Sequence, residues 1–173
     1  MKNYFFKILV AGPGGAGKTS LLRQYIKNKF NDSQLMTIGV DFYLKELQID
    51  PDINISLQLW DFGGQKHFQD LHKQYVDGAK GALLLIDLTR VFQTEKVKKW
   101  VDIVRMKKDD LPIVFIANKV DLEDKIKVKD EELNGAMQEF KMETLLKTSA
   151  KTGENVDKAF ETIAKVIYNH KND

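Results

Sequence analysis

The run Gly12-Pro13-Gly14-Gly15-Ala16-Gly17-Lys18-Thr19 constrains this chain more than any other stretch. It fits G-x-x-x-x-G-K-[ST] and lies between an apolar run of β character, YFFKILVA at 4–11, and an amphipathic run from Lys18 to about Lys29. Glycines let backbone N–H groups converge on phosphate oxygens, and the N-terminus of the following helix adds its partial positive charge. In that setting Lys18 reaches the β/γ-phosphates of a nucleotide and the Thr19 hydroxyl is offered to Mg²⁺. The plain alternative is a Gly-rich turn that happens to precede a lysine. At average glycine usage chance produces the pattern in on the order of one chain in a hundred, and here strand and helix flank it as the mechanism requires.

The rest of the chain alternates short β-rich runs with longer amphipathic ones. VDFYLKELQI (40–49) and INISLQLW (53–60) are separated by the Asp50-Pro51-Asp52 turn and read as a hairpin. ALLLID (82–87), a helix around 93–108, PIVFIAN (112–118), a helix around 130–140, METLLKTSA (142–150) and a final helix around 155–169 follow. This order predicts an α/β fold of the P-loop NTPase type: a six-stranded, mostly parallel sheet with one antiparallel edge strand and about five helices on both faces. No repeat, linker or low-complexity tract divides the chain, so residues 1–173 are expected to form a single domain. Ligands of such folds sit outside the carboxyl ends of the strands, where the motifs fall.

A phosphate loop alone leaves a small-molecule kinase, an ATPase and a GTPase open. Asn118-Lys119-Val120-Asp121 follows the strand ending at 117. A carboxylate at Asp121 accepts two hydrogens at once from guanine N1–H and the 2-amino group. Adenine has a lone pair at N1 and nothing at C2, and would leave the carboxylate unpaired at a cost of about 1–3 kcal/mol or more. The run is a moderate signal alone. Joined to the phosphate loop about 100 residues earlier and to Thr148-Ser149-Ala150-Lys151 after the last strand, it becomes a strong one.

On these residues the chain resembles the Ras superfamily of small GTPases over its full length. The resemblance implies a phosphate cradle of Gly14, Gly15, Ala16, Gly17, Lys18, Thr19 and Ser20. It implies that Asn118 and Asp121 hold guanine, that Lys119 lies along the ring plane, and that the Ala150 N–H, within the Ser149-Ala150-Lys151 run, meets the base carbonyl. Phe30 would stack on the base from its edge, the other reading being a core aromatic at a helix end. Thr37 in MTIGVDF looks like the family's switch I threonine, which closes over Mg²⁺ and the γ-phosphate.

Residues 60–65 read WDFGGQ. A kinase DFG would come with an H-R-D catalytic loop, and this chain contains none. By resemblance the segment is instead the D-x-x-G-Q of a GTPase: Asp61 approaches Mg²⁺ through a water, Gly64 donates its N–H to the γ-phosphate, and Gln65 orients the attacking water. The expected metal set is therefore Thr19, Thr37 and Asp61, and the expected catalytic set Gln65, Lys18, Thr37 and Gly64. Phe62-Gly63 stands where most Ras-like members carry Thr-Ala, and the doubled glycine Gly63-Gly64 is similar to Arf and Roco-type GTPases, whereas Phe42, Trp60 and Tyr75 match the hydrophobic triad that Rab proteins expose to effectors. A sheet-edge packing role is the alternative for these three. Lys66 stands where Rab and Ras proteins usually carry an acid, which puts ordinary exchange-factor action in doubt. His67 and His72, five apart, would point to different helix faces and make no metal pair.

Composition excludes several classes. With no cysteine among these residues, no disulfide framework, thiolate metal site, cysteine nucleophile or thiol-linked lipid is expected of them. The sequence ends NHKND without a prenylation box, and Lys2 follows Met1 where myristoylation needs glycine, so no direct lipid anchor is expected. No apolar run is long enough to span a bilayer. A net charge of +2 gives no case for a nucleic-acid partner. The expected location is cytoplasmic, with any membrane contact made through a partner or a tail beyond these residues.

The resemblance therefore implies a switch that binds GTP or GDP with Mg²⁺. Effectors, exchange factors and GTPase-activating proteins would meet it through 31–45 and 60–76. Residues 31–38 contain no arginine, and Arg23, Arg90 and Arg105 lie far from them in sequence. Intrinsic hydrolysis should be slow and a partner's arginine should accelerate it by about 10³–10⁵. The competing readings are a nucleotide-holding scaffold that cycles little and an ATP-using P-loop enzyme, which Asp121 disfavours.

Overall fold

The computed structural model describes residues 1–27, 40–62 and 72–173, with side chains from 42 and 73 in the second and third segments. Phe30, Thr37, Gly63, Gly64, Gln65, Lys66 and His67, and the His72 side chain, lie outside the described residues. Six strands, β1 (Lys2–Ala11), β2 (Val40–Asp50), β3 (Ile53–Phe62), β4 (Gly81–Asp87), β5 (Ile113–Asn118) and β6 (Thr144–Thr148), form one sheet in the order β2-β3-β1-β4-β5-β6. β2 runs antiparallel to β3, and the remaining pairs are parallel. The expected hairpin is present: Gln48 Nε2 donates to the Pro51 carbonyl at 2.9 Å, and the ladder shifts register between Gln48 and Asp50.

Among the described residues five α-helices complete the fold: α1 (Lys18–Lys27), α2 (His72–Val76), α3 (Thr94–Val104), α4 (Asp130–Glu139) and α5 (Val156–Asn172). On one face Leu21, Leu22, Phe160, Ile163 and Ile167 of α1 and α5 pack on Ile8, Val10, Leu57 and Leu83. On the other, Val97, Trp100, Val104, Leu133 and Ala136 of α3 and α4, with Val76 of α2, pack on Leu9, Leu84 and Phe115. Covered on both sides, β4 and β5 bury every residue. That is why ALLLID and PIVFIAN read as continuous apolar runs while β3 alternates.

The boundaries sharpen the sequence reading. The helix expected around 93–108 ends at Val104, because Arg105 turns its guanidinium onto carbonyls of Leu111, Phe140 and Lys141. METLLKTSA supplies strand only over 144–148; Met142 and Ala150 at its ends are buried outside the ladder. The short helix α2 and the 3-10 turn at Glu123–Lys125 carry no signal in the sequence reading above.

β1 lies centrally, and the chain leaves it toward β3 and β2 on one side and toward β4, β5 and β6 on the other. The order reverses between β1 and β4, so a crevice forms beyond their carboxyl ends. The turn after β1 enters this crevice.

Candidate functional site

The turn between β1 and α1 is wound by Gly12, Gly15 and Gly17, each at a positive φ that a residue with a Cβ would adopt only with strain. Gly17 has φ +98°, and a Cβ there would stand 2.3 Å from Asn118 Nδ2. Asn118 ends β5 about a hundred residues later, is 1% exposed, and donates from Nδ2 to the Ala16 carbonyl at 3.0 Å. Its Oδ1 accepts from Thr148 Oγ1 at 2.9 Å and from the Ala150 N–H at 3.3 Å. One buried amide thus fastens the Gly-rich turn to the ends of β5 and β6. Parallel register allows it, since Asn118 is paired with Asp87 on β4 and with Thr148 on β6.

Lys18, the first residue of α1, is buried, and its Nζ donates to the carbonyls of Gly12 at 2.7 Å and Pro13 at 3.0 Å. Burial pushes its ammonium down to about 8, against the upward pull of the Asp61 carboxylate. Such a group gains from a nearby anion. Thr19 Oγ1 donates to Asp61 Oδ2 at 2.6 Å, and Asp61 is fully buried at the end of β3. A hydroxyl beside a carboxylate is an all-oxygen donor set of the kind a hard divalent cation prefers. Ser20 is buried one residue further on, and Gly14 has open space where its Cβ would be.

The opposite wall comes from the loops after β5 and β6. Asp121 Oδ1 accepts from Ser149 Oγ at 2.7 Å, and the same Ser149 oxygen accepts the Thr152 N–H at 3.0 Å. A fully buried serine therefore fixes the direction of the half-buried carboxylate. The Val120 N–H donates to the Thr148 carbonyl at 3.1 Å, which ties the two loops together. Lys119 has φ +75°, unusual for a residue with a Cβ, and its Nζ pairs with Asp87 Oδ2 at 2.8 Å. Ala150 is buried and Lys151 exposed.

The structure thus brings Gly14, Gly15, Ala16, Gly17, Lys18, Thr19, Asp61, Asn118, Lys119, Asp121, Ser149 and Ala150 to one end of the sheet. Two residues that motif reading missed belong to the same neighbourhood. Asp87 ends β4, and Arg90, far from the switch segments in sequence, donates from Nη1 to the Gly14 carbonyl at 3.0 Å. A lone carboxylate closing the apolar ALLLID run was the available signal for Asp87; Arg90 had none.

Beyond the crevice, three aromatic rings make a contiguous row. Phe42 and Trp60 have centroids 5.4 Å apart, and Trp60 and Tyr75 5.1 Å. Phe42 is 47% exposed, and Lys7 Nζ lies 4.2 Å over the Trp60 ring. Tyr75 also meets Phe62 edge-on, so one end of the row is anchored in the core.

The sequence model of the Ras family matches residues 7–169. The chain is 37% identical over 167 residues to "Ras-related protein Rab-1" of Theileria annulata, covering 95% of this chain and 75% of that protein. It is 36% identical to the Rab-1 protein of Theileria parva with the same coverage. Against "Ras-related protein Rab-8B" of Homo sapiens it is 34% identical over 166 residues, covering 95% of this chain and 79% of the relative.

Proposed function

The chain belongs to the Ras family of GTP-binding regulatory GTPases, and from that premise we propose that it is a Rab-like switch that hydrolyses GTP slowly on its own and offers effectors its switch surface in the GTP state. The observation that carries this reading is the Asn118 side chain, which joins the phosphate turn to both base-side loops through Ala16, Thr148 and Ala150. A module built to hold only a phosphate has no need of that second wall.

In this reading residues 1–173 act as one domain. Backbone N–H groups of Gly14 to Ser20 and the Lys18 ammonium hold the phosphates, and the depressed Lys18 proton affinity favours an anion beside it. Asp121, aimed by Ser149, accepts from guanine N1–H and the 2-amino group, while Asn118, Lys119, Ala150 and Lys151 complete the base side. Thr19 and Asp61, with Thr37, would hold Mg²⁺, whose charge offsets that of the phosphates. Phe30 stacks on the base. Gln65 orients water for in-line attack on the γ-phosphorus, and Thr37 and Gly64 sense the γ-phosphate. Loss of the γ-phosphate frees the two segments, so the product that matters is a changed surface around Phe42, Trp60 and Tyr75.

Among the described residues no helix is long and apolar enough to cross a membrane. We place the protein in the cytoplasm, where effectors and regulators meet residues 31–45 and 60–76. Competition against a fluorescent GDP tests the reading: GTP and GDP should displace it at equal low concentration and ATP should not. Displacement by ATP as effective as by GTP would overturn it.

A further inference from the structure

Asp87 faces the base-side lysine and the phosphate turn at once. Its side chain is only 5% exposed. Oδ1 accepts from the Thr89 N–H at 2.8 Å and from Thr89 Oγ1 at 2.6 Å. Oδ2 accepts from Lys119 Nζ at 2.8 Å and lies 3.5 Å from Arg90 Nε. Burial alone would push this carboxyl up; hydrogen bonds from Lys119 and Thr89 outweigh burial and hold it below its usual value, so the carboxylate stays charged.

Arg90 carries the connection onward. Its Nη1 donates to the Gly14 carbonyl at 3.0 Å, and Nη2 occupies the space in front of Gly15, where a Cβ would stand 2.6 Å away. The Gly14 carbonyl and the Gly15 N–H belong to one planar peptide unit. Holding the carbonyl therefore sets the direction of the N–H on its other side, which is a phosphate donor in the reading above. An isolated surface pair would be worth little, but here one end is a nearly buried carboxylate and the other a backbone carbonyl of the site.

We propose that Asp87 and Arg90 are positioning residues: they form a bridge from Lys119 to the Gly14–Gly15 peptide that makes the base side and the phosphate side open together and so sets the lifetime of bound guanine nucleotide. The inference rests on the functional reading above. It acts through Lys119 and the phosphate turn, without direct contact with nucleotide.

The test uses the full chain loaded with fluorescent GDP and Mg²⁺, with release followed after adding excess unlabelled GDP. Asp87→Asn, which weakens two charge-assisted contacts, should speed release on the order of 10–100-fold. Arg90→Ala, whose side chain is 61% exposed, should speed it roughly 3–10-fold. Arg90→Lys keeps the positive charge but not the spread of guanidinium donors that spans Asp87 and Gly14, and should give a lifetime between those of Arg90→Ala and wild type. Because the two residues act in one bridge, the double variant should release within about twofold of Asp87→Asn alone. Thr89→Val removes the hydroxyl bond to Asp87 Oδ1 but leaves the Thr89 N–H and both cations, and should speed release less than Arg90→Ala does. In ³¹P spectra of the GDP complex, Arg90→Ala should move the β-phosphate resonance, which a merely structural role would leave in place.

Multiplying single-variant effects, a still β-phosphate resonance, or Asp87→Asn and Arg90→Ala rates equal to wild type would each overturn the bridge while the guanine reading stands. A wild-type chain that fails to retain fluorescent GDP would overturn the reading beneath it. Arg90→Ala alone decides the matter if Asp87→Asn does not fold.

Discussion

Replacing Asn118 by alanine removes three hydrogen bonds at the junction of the site. The Ala16 carbonyl loses its donor, and Thr148 Oγ1 and the Ala150 N–H lose their shared acceptor. All this happens where Asn118 and Thr148 are at most 1% exposed and Ala150 is 4% exposed, so water cannot readily take over. At about 1 kcal/mol net for each bond, and more where a buried donor stays unpaired, the loss is about 3 kcal/mol. For a domain of this size each kcal/mol shifts the melting temperature by about 2–4 °C, which gives a drop of roughly 6–12 °C. The assay is thermal unfolding followed by circular dichroism at equal GDP and Mg²⁺ concentrations, with the linkage contribution from the separately measured nucleotide affinities of wild type and variant subtracted. Asn118→Asp is the companion: it keeps an acceptor for Thr148 but sets a carboxylate oxygen against the Ala16 carbonyl, and should be no better than alanine. A drop under about 2 °C with unchanged nucleotide affinity would refute the idea that this amide fastens the two halves.

Three further outcomes follow from the same geometry. Asp121→Asn replaces an acceptor by an amide able to donate to a 2-oxo group, so competition binding should move from guanine toward xanthine nucleotides; undiminished guanine preference would argue against the base contact. Gly17→Ala puts a Cβ 2.3 Å from Asn118 Nδ2 at φ +98°, and should lower the melting temperature at least as much as Asn118→Ala. Trp60 lies between Phe42 and Tyr75 and shortly before Gly64 in the sequence, so on the proposed reading exchanging GDP for a non-hydrolysable GTP analogue should change tryptophan emission, and Trp60→Phe should remove most of the change.

Where local chemistry fixed the outcome, the amino-acid order made it readable. Gly12 to Thr19 declare a turn whose backbone must approach another group, and the buried strands β4 and β5 declare themselves by unbroken apolar runs. The hairpin was equally plain from its Asp-Pro-Asp turn. Contacts that depend on which strands become neighbours were not. Arg90 meets Gly14 only because β4 lies beside β1 in the sheet, and no periodicity encodes a meeting of residues 76 apart. Ser149 was read as part of a base-side run, but its hold on Asp121 requires the β5 and β6 loops to stand side by side. The end of α3 at Val104 was hidden for a related reason, since Arg105 leaves the helix to satisfy carbonyls around 111 and 140. The five-residue helix α2 is too short to build a recognisable 3.6-residue pattern.

Single-turnover hydrolysis by the isolated chain tests the central claim most directly. Preloaded with GTP and started with Mg²⁺, it should release phosphate on the order of 10⁻⁴–10⁻³ s⁻¹, the range for a GTPase with no catalytic arginine in cis, and Gln65→Leu should slow it further. Turnover near 1 s⁻¹ from the chain alone, or no phosphate release above that of Gln65→Leu, would contradict the account of a slow, partner-accelerated switch.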